Sequence, residues 1–248
     1  PDIVTPGTSI TMANDDWERQ ADFNIGSGCS LATPHVAGMM AQQIDAGREN
    51  GLSTNPLVVK ATMLNSADKS VLNKTGSAWS TASTSQPLDT DAGAGQIDGA
   101  ALSAQYLAGQ QAAGSVEAVG WDLANVQDGM FVDYEIDAPL ENGSMLTATL
   151  TWHRHIGRRD LGPAGVDSAD SFFVSSSLDN LDLQLLADGQ VVAESNSTRD
   201  NVEHLWAPVS AQPAYTLRVL GTSVVGPELD ELFAVAWSAI AVPEPNSV

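Results

Sequence analysis

The 248-residue sequence is poor in cysteine and in basic residues. It contains a single cysteine, and ten lysine and arginine residues stand against 31 aspartate and glutamate residues, for a formal net charge of −21. One cysteine excludes an internal disulfide framework and a cysteine-based zinc site. The acidic balance argues against nucleic acid and anionic membranes as partners. No run of about 18 apolar residues occurs, so we expect no membrane-spanning helix.

Residues 28–38 are the most informative stretch of the sequence. They read Gly-Cys-Ser-Leu-Ala-Thr-Pro-His-Val-Ala-Gly, a tight Gly-x-Ser turn that leads into a helix of small residues. The turn places the hydroxyl of Ser30 at a helix N-terminus, where unpaired N–H groups and the helix dipole favour a developing oxyanion. Pro34 is expected in the first turn, where a proline loses no intrahelical hydrogen bond. The pattern predicts a nucleophilic serine.

This stretch resembles the nucleophile motif of subtilisin-like serine proteases, Gly-Thr-Ser-x-Ala-Thr-Pro-His-Val-Ala-Gly, at ten of eleven positions. The resemblance implies that Ser30 is acylated during catalysis and that its backbone N–H is one oxyanion donor, with Gly28, Cys29 and Thr33 supporting the turn. Residues 1–7 and 93–98 resemble two further segments of the same family. The implied function is a serine endopeptidase that acts on protein or peptide substrates.

Cys29 departs from the family motif, which usually has threonine at this position. Two interpretations stay open. The thiol is either a buried structural group, because a free cysteine behaves as a small hydrophobe, or a second nucleophile activated by the helix N-terminus. We favour the buried thiol. His35 lies about 140° around the helix from Ser30, so we expect it to pack and to form hydrogen bonds rather than to act as the base.

The other catalytic residues of a subtilase are not recognisable in this sequence. The family order is Asp, His, Ser, with an oxyanion-hole asparagine between His and Ser. No histidine precedes Ser30, and the aspartates and asparagines before it lack the family context: Asp2, Asp15, Asp16, Asp22, Asn14 and Asn24. We therefore expect the C-terminal part of a protease, inactive without the missing N-terminal part of its catalytic domain. A non-catalytic surface or binding protein that retains a subtilase remnant is the alternative.

The spacing of apolar residues changes near residue 114. Residues 1–113 indicate helices from Ser30 to about Arg48, from Pro56 through Ala67, and from Gly99 to Gln111. Beyond them apolar residues alternate, as in residues 146–152, which predicts half-buried strands. The predicted fold is the C-terminal part of an α/β subtilisin-like catalytic domain at 1–113, then an all-β jelly-roll-like sandwich of about eight strands at 114–241.

Candidate metal ligands lie in the predicted β-domain. His153 and His155 would share one strand face and could chelate a metal ion. Four aspartates could supply oxygen ligands to Ca²⁺: Asp167, Asp170, Asp179 and Asp182. No EF-hand spacing occurs, so a solvated acidic loop is the simpler interpretation. We expect no cofactor for the chemistry, and Ca²⁺ stays open as a structural ion.

The C-terminal residues 242–248 carry a sorting-signal resemblance. They begin Val-Pro-Glu-Pro, which resembles the start of the PEP-CTERM signal of some Gram-negative bacteria. In that signal a hydrophobic helix and a basic cluster follow the motif. The resemblance implies an exported protein at the cell surface or outside the cell.

Overall fold

The structure is a computed structural model that describes most of the chain. It describes residues 1–13, 23–71, 76–81, 83–137, 140, 142–159, 166, 170–174, 178–210, 214–225 and 230–240. The N-terminal part consists of a hairpin and three helices, namely β1 (Ile10–Ala13), β2 (Phe23–Gly26), α1 (Cys29–Asn50), α2 (Pro56–Asn65) and α3 (Gly99–Leu107). None of these described helices is long and apolar enough to cross a membrane.

The helix ends follow the local sequence. Gly51 ends α1 in the left-handed conformation, with φ 68°. The side chain of Asn55 caps α2 by accepting the N–H of Leu57 at 2.9 Å, and Pro56 occupies the first helical position. Asp98 caps α3 in the same way. The three predicted helices are therefore confirmed, with α2 and α3 ending a few residues earlier than expected.

Eleven strands follow α3 in the described part of the chain. They are β3 (Gly114–Val116), β4 (Val119–Gln127), β5 (Phe131–Ile136), β6 (Met145–Trp152), β7 (Ile156–Arg159), β8 (Ser171–Val174), β9 (Asn180–Ala187), β10 (Gln190–Ser195), β11 (Val202–Pro208), β12 (Tyr215–Ser223) and β13 (Asp230–Ile240). The hairpin predicted at Asp188 and Gly189 joins β9 to β10, and both turn residues have positive φ.

Two sheets form a sandwich. One has the order β10-β9-β12-β5-β3 and the other β11-β6-β13-β4, and β7 pairs with β8 beside them. Neighbouring strands are antiparallel except for β3 and β5. The core between the sheets contains fully buried aromatic and leucine side chains, among them Tyr134, Trp152, Leu183, Leu217 and Trp237. The predicted order, an α/β part and then a β-sandwich, is confirmed.

The outer face of the four-stranded sheet is covered by α2. Thr149 and Thr151 have no exposed surface, and the hydroxyl of Thr151 donates to the carbonyl of Leu57 at 3.1 Å. Small side chains on β13 leave room for the helix, and Ala234 and Ala236 pack in one apolar cluster with it. The prediction that β6 is only half buried is therefore wrong. Its threonine face meets a helix, and α2 is in turn buried around most of its circumference.

Candidate active site

Ser30 is the second residue of α1, directly after the turn at Gly28. The N–H groups of Leu31 and Ala32 both donate to the carbonyl of Gly28, at 3.0 and 3.2 Å. The first two helical N–H groups, those of Cys29 and Ser30, have no place in the intrahelical ladder. Ser30 is exposed, and its Oγ has no hydrogen-bond partner among the described residues. The predicted position of this hydroxyl at a helix N-terminus is present in the structure.

The turn is held from outside by residues 6 and 7. The N–H of Gly28 donates to the carbonyl of Gly7 at 2.7 Å, and a Cβ on Gly7 would lie 3.0 Å from that of Ala32. The His35 ring donates from Nδ1 to the carbonyl of Pro6 at 3.1 Å. His35 therefore holds residue 6 against the helix, the packing and hydrogen-bonding role expected for it.

Thr33 and Pro34 act on the first turns of α1. The hydroxyl of Thr33 donates to the carbonyl of Cys29 at 2.9 Å. Pro34 was expected in the first turn, but α1 begins at Cys29, which places the proline inside the helix. Because proline has no N–H, the carbonyl of Ser30 lacks its usual intrahelical donor. The expectation that this proline loses no hydrogen bond is therefore wrong.

Cys29 is exposed, so the prediction of a buried thiol is wrong. The reason is the exposure of α1 as a whole: of its 22 residues only Gln43 and Gly47 are buried. The described residues place few neighbours against the first turns of this helix. The small residues of α1 make a close approach at Ala32, whereas a Cβ on Gly38 would meet no other part of the described structure within 4 Å.

The glycines at positions 93 and 95 are required by the close approach of residues 2–4 and of Asp68. Residue 4 forms backbone hydrogen bonds with residues 95 and 97, both at 2.9 Å. A Cβ on Gly93 would lie 2.4 Å from the backbone of Asp2, and one on Gly95 would lie 2.4 Å from the carbonyl oxygen of Asp68. Both glycines also have positive φ. Only glycine fits this junction, which accounts for the motif seen in the sequence.

The described residues bring no general base to Ser30. No hydrogen bond or ion pair within the described ranges joins Ser30 to a histidine or a carboxylate, and Asp2 pairs with Lys60 at 3.1 Å. Asn24, which lacks the sequence context of the family's oxyanion asparagine, lies on β2. The other residues before Ser30 that lack the family context lie outside the described residues: Asn14, Asp15, Asp16 and Asp22. The described residues therefore contribute a hydroxyl and two N–H groups, and no proton acceptor in contact with Ser30.

The structure does not bring the predicted metal ligands of the β-domain together at one site. Strand β6 ends at Trp152, so His153 and His155 do not share a strand face, and that prediction is wrong. His155 contacts Asp179, whereas His153 is exposed. Asp182 accepts hydrogen bonds from Thr222 and Asn180, Asp170 lies 3.7 Å from Arg158, and Asp167 is outside the described residues.

A buried polar chain joins α2 to the sandwich. The Gln105 amide donates to two backbone carbonyls, so its oxygen accepts from Asn65 Nδ2 at 2.9 Å. This orients Asn65 Oδ1 toward the hydroxyl of Thr149, 3.2 Å away. That hydroxyl has only one proton, so it must accept from Nδ1 of His204, at 2.8 Å. Burial keeps the pKa of His204 well below its usual value, and the ring is neutral.

Glu203 is a second buried titratable residue that the sequence analysis missed. It has no exposed surface, accepts the N–H of Ser197 at 2.8 Å and is partnered with the hydroxyl of Ser195. Burial raises the pKa of Glu203 to about 9. Both it and His204 lie on β11, and all of Val202–Leu205 is buried. An alternating sequence pattern predicts one buried and one exposed face of a strand, so it gives no sign that both faces of β11 are buried here.

Comparisons with known proteins identify the N-terminal part of the chain. Residues 1–96 match the model of the subtilase family. Pyrolysin of Pyrococcus furiosus is 38% identical over 63 residues, which are 25% of this chain and 4% of pyrolysin. The chain thus spans a small fraction of the length of this curated relative.

The sandwich is similar to several solved structures at low identity. The periplasmic inhibitor of g-type lysozyme PliG from Aeromonas hydrophila matches with a TM-score of 0.29 and 12% identity over 52% of this chain and 98% of its own. The pre-peptidase C-terminal domain of collagenase from Bacillus anthracis matches with a TM-score of 0.32 and 8% identity over 52% and 96%. Scores of this size carry no functional argument. The family match and the motif at Ser30 coincide, and residues 1–96 are therefore a subtilase-family segment, followed by a β-sandwich.

Proposed function

We propose that Ser30 is the acylated nucleophile of a subtilisin-like serine endopeptidase. The observation that carries this proposal is the position of Ser30 as the second residue of α1, with an exposed hydroxyl and two N–H groups outside the helix ladder. The substrate is a protein or peptide. The subtilase-family match of residues 1–96 supports the reaction class.

In this mechanism Ser30 Oγ attacks the carbonyl carbon of the scissile peptide bond. A histidine takes the hydroxyl proton and later gives it to the leaving amine, so that an acyl-enzyme forms and water then hydrolyses it. The negative oxygen of the tetrahedral intermediate accepts a hydrogen bond from the N–H of Ser30. The neighbouring N–H of Cys29, which also lies outside the helix ladder, can donate a second one. The positive end of α1 adds to this stabilisation.

The histidine, the aspartate and the oxyanion asparagine of the proposed enzyme lie outside residues 1–248. The family order, with both partners before the serine, supports this, as does the lack of a histidine before Ser30. Residues 1–248 by themselves are then inactive. The exposure of α1 is in keeping with a helix that packs against further parts of the catalytic domain.

We propose a jelly roll for the sandwich and export for the protein. The strand orders β4-β13-β6-β11 in one sheet and β5-β12-β9-β10 in the other follow the pairing order of a jelly roll, which supports the first. The Val-Pro-Glu-Pro sequence of residues 242–245, outside the described residues, supports export from a Gram-negative cell. Ca²⁺ stays a candidate structural ion, and no cofactor takes part in the proposed chemistry.

A fluorophosphonate probe tests the proposed nucleophile. One sample contains residues 1–248 alone, and a second also contains the sequence encoded before residue 1. We expect the probe to label Ser30 in the second sample and not in the first. Mass spectrometry locates the label, and Ser30→Ala must abolish it.

Cys29→Ala is the matched control, because this residue adjoins Ser30 on the same helical turn. Labelling that survives in Cys29→Ala and disappears in Ser30→Ala supports the serine mechanism. The opposite result would favour the thiol as nucleophile. Absence of labelling in the longer protein, when it is folded, would favour the non-catalytic surface or binding protein instead.

A further inference from the structure

Three side chains meet at one end of the sandwich, far in sequence from Ser30. His155 follows β6, Asp179 immediately precedes β9, and Glu231 is the second residue of β13. Strands β6 and β13 are neighbours in one sheet, whereas β9 belongs to the other. The cluster therefore connects the two sheets across their open end.

The atoms of the cluster lie within reach of one metal ion. One ligand atom from each side chain lies within 4.8 Å of the others. His155 Nε2 is 3.2 Å from Asp179 Oδ2 and 2.7 Å from Glu231 Oε2. Ligands about 2.0 Å from a tetrahedral Zn²⁺ lie about 3.3 Å apart. The distance from His155 to Asp179 already fits this value. The distance from His155 to Glu231 would have to increase by about half an ångström.

The cluster places two buried carboxyl groups beside a single imidazole. Asp179 is fully buried and Glu231 is 3% exposed, so two carboxylates are removed from water side by side. Among the described residues their ion-pair partner is His155. A protonated imidazole supplies one positive charge, whereas a divalent cation bound to a neutral imidazole would balance both carboxylates.

The two buried carboxylates are held in place from outside the cluster. The second oxygen of Asp179 accepts the N–H of Val225 at 2.8 Å, and its backbone carbonyl accepts the indole N–H of Trp152 at 2.7 Å. Glu231 is fixed by the pairing of β13 with β4. Such outer hydrogen bonds orient ligands in metal sites. The His155 side chain is 42% exposed, which leaves an open approach.

The donor set distinguishes between metal ions. Ca²⁺ takes six to eight oxygen ligands, and Mg²⁺ prefers an octahedron of oxygens with several waters. An imidazole nitrogen with two carboxylate oxygens suits Zn²⁺ and related transition metals. Three protein ligands with one open side leave a fourth position for water.

We propose that His155, Asp179 and Glu231 form a binding site for a divalent transition-metal ion, of which Zn²⁺ fits best. Its role is to join the two sheets where β6 ends and β9 and β13 begin. The site is separate from the proposed serine chemistry and does not depend on it. It shares Asp179 with the Ca²⁺ expectation and differs from it in the other ligands and in the ion.

Zn²⁺ titration of the full 248-residue chain tests this site. We expect one Zn²⁺ per chain by isothermal titration calorimetry, a higher melting temperature with Zn²⁺, and no comparable shift with Ca²⁺. Co²⁺ in place of Zn²⁺ should give the intense visible absorption of a tetrahedral site. His155→Ala should weaken binding at least 100-fold, and Glu231→Gln, which keeps the side-chain shape, should weaken it at least tenfold.

His153→Ala is the matched control, because this exposed histidine lies two residues away and outside the cluster. It should bind Zn²⁺ like the unaltered chain. Circular dichroism without metal checks that each variant is folded. Unaltered Zn²⁺ binding in folded His155→Ala and Glu231→Gln, equal stabilisation by Ca²⁺, or no binding by the unaltered chain would each overturn the proposal.

Discussion

The buried carboxyl of Glu203 makes a sharp prediction about stability and pH. Its two oxygens are occupied by the N–H of Ser197 and the hydroxyl of Ser195, and it has no exposed surface. Burial raises its pKa from 4.5 to about 9. Glutamine has the shape of a protonated glutamate and keeps one oxygen for Ser197. Glu203→Gln should therefore fold and should remove this titration.

The direction of the effect follows from the raised pKa. Between about pH 4.5 and about pH 9 the folded chain holds a proton at Glu203 that the unfolded chain has released. Its contribution to the free energy of unfolding is fully present below pH 4.5 and is lost as pH rises toward 9, by about 1.4 kcal/mol per pH unit. From pH 5 to pH 7, Glu203→Gln should gain about 3 kcal/mol relative to the unaltered chain.

Urea unfolding followed by circular dichroism measures this difference at pH 5, 6, 7 and 8. Other titrating groups, including His204, contribute equally to both proteins and cancel in the difference. Glu135→Gln is the matched control for the loss of one glutamate, because Glu135 is exposed on β5. The reasoning is refuted if the curve of Glu203→Gln runs parallel to that of the unaltered chain.

Four other substitutions test packing and buried hydrogen bonds, each by urea unfolding. Gly95→Ala should cost about 3 kcal/mol or more, because its Cβ would lie 2.4 Å from a backbone oxygen, whereas Gly109→Ala, with positive φ and open space, should cost about 1–2 kcal/mol. Thr149→Val should cost about 2 kcal/mol because it leaves two buried polar atoms without a partner, and a neutral result would contradict the hydrogen-bond chain. Trp79→Ala should cost about 3–5 kcal/mol, since this indole is 3% exposed and donates to the carbonyl of residue 93; a smaller loss would mean that its loop is held by other contacts.

The order of elements could be predicted from the sequence because each depends on short-range signals. Asn50 and Gly51 mark the end of α1, Pro56 the start of α2, and Asp188 with Gly189 a hairpin. The position of Ser30 at a helix N-terminus follows from an eleven-residue motif in the same way. These features need no information from distant parts of the chain.

Features that depend on distant contacts could not be predicted. The threonines of β6 look like a solvent face until α2 is placed over them. Cys29 looks buried until the exposure of α1 is seen. The cluster of His155, Asp179 and Glu231 spans 76 residues of sequence, and its glutamate has no local signal. In each case the environment comes from another element of the fold.

The covering of the sheet by α2 joins the two parts of this chain into one packed unit. Thr62 of α2 receives a hydrogen bond from Gln43 of α1 at 2.6 Å, and α2 also packs on β6 and β13. Helix α1, which carries Ser30, thus rests through one intermediate helix on the sandwich. A genetic exchange that replaced the sandwich alone would have to supply the same threonine and alanine surface. The sandwich and α2 would therefore have to be exchanged together.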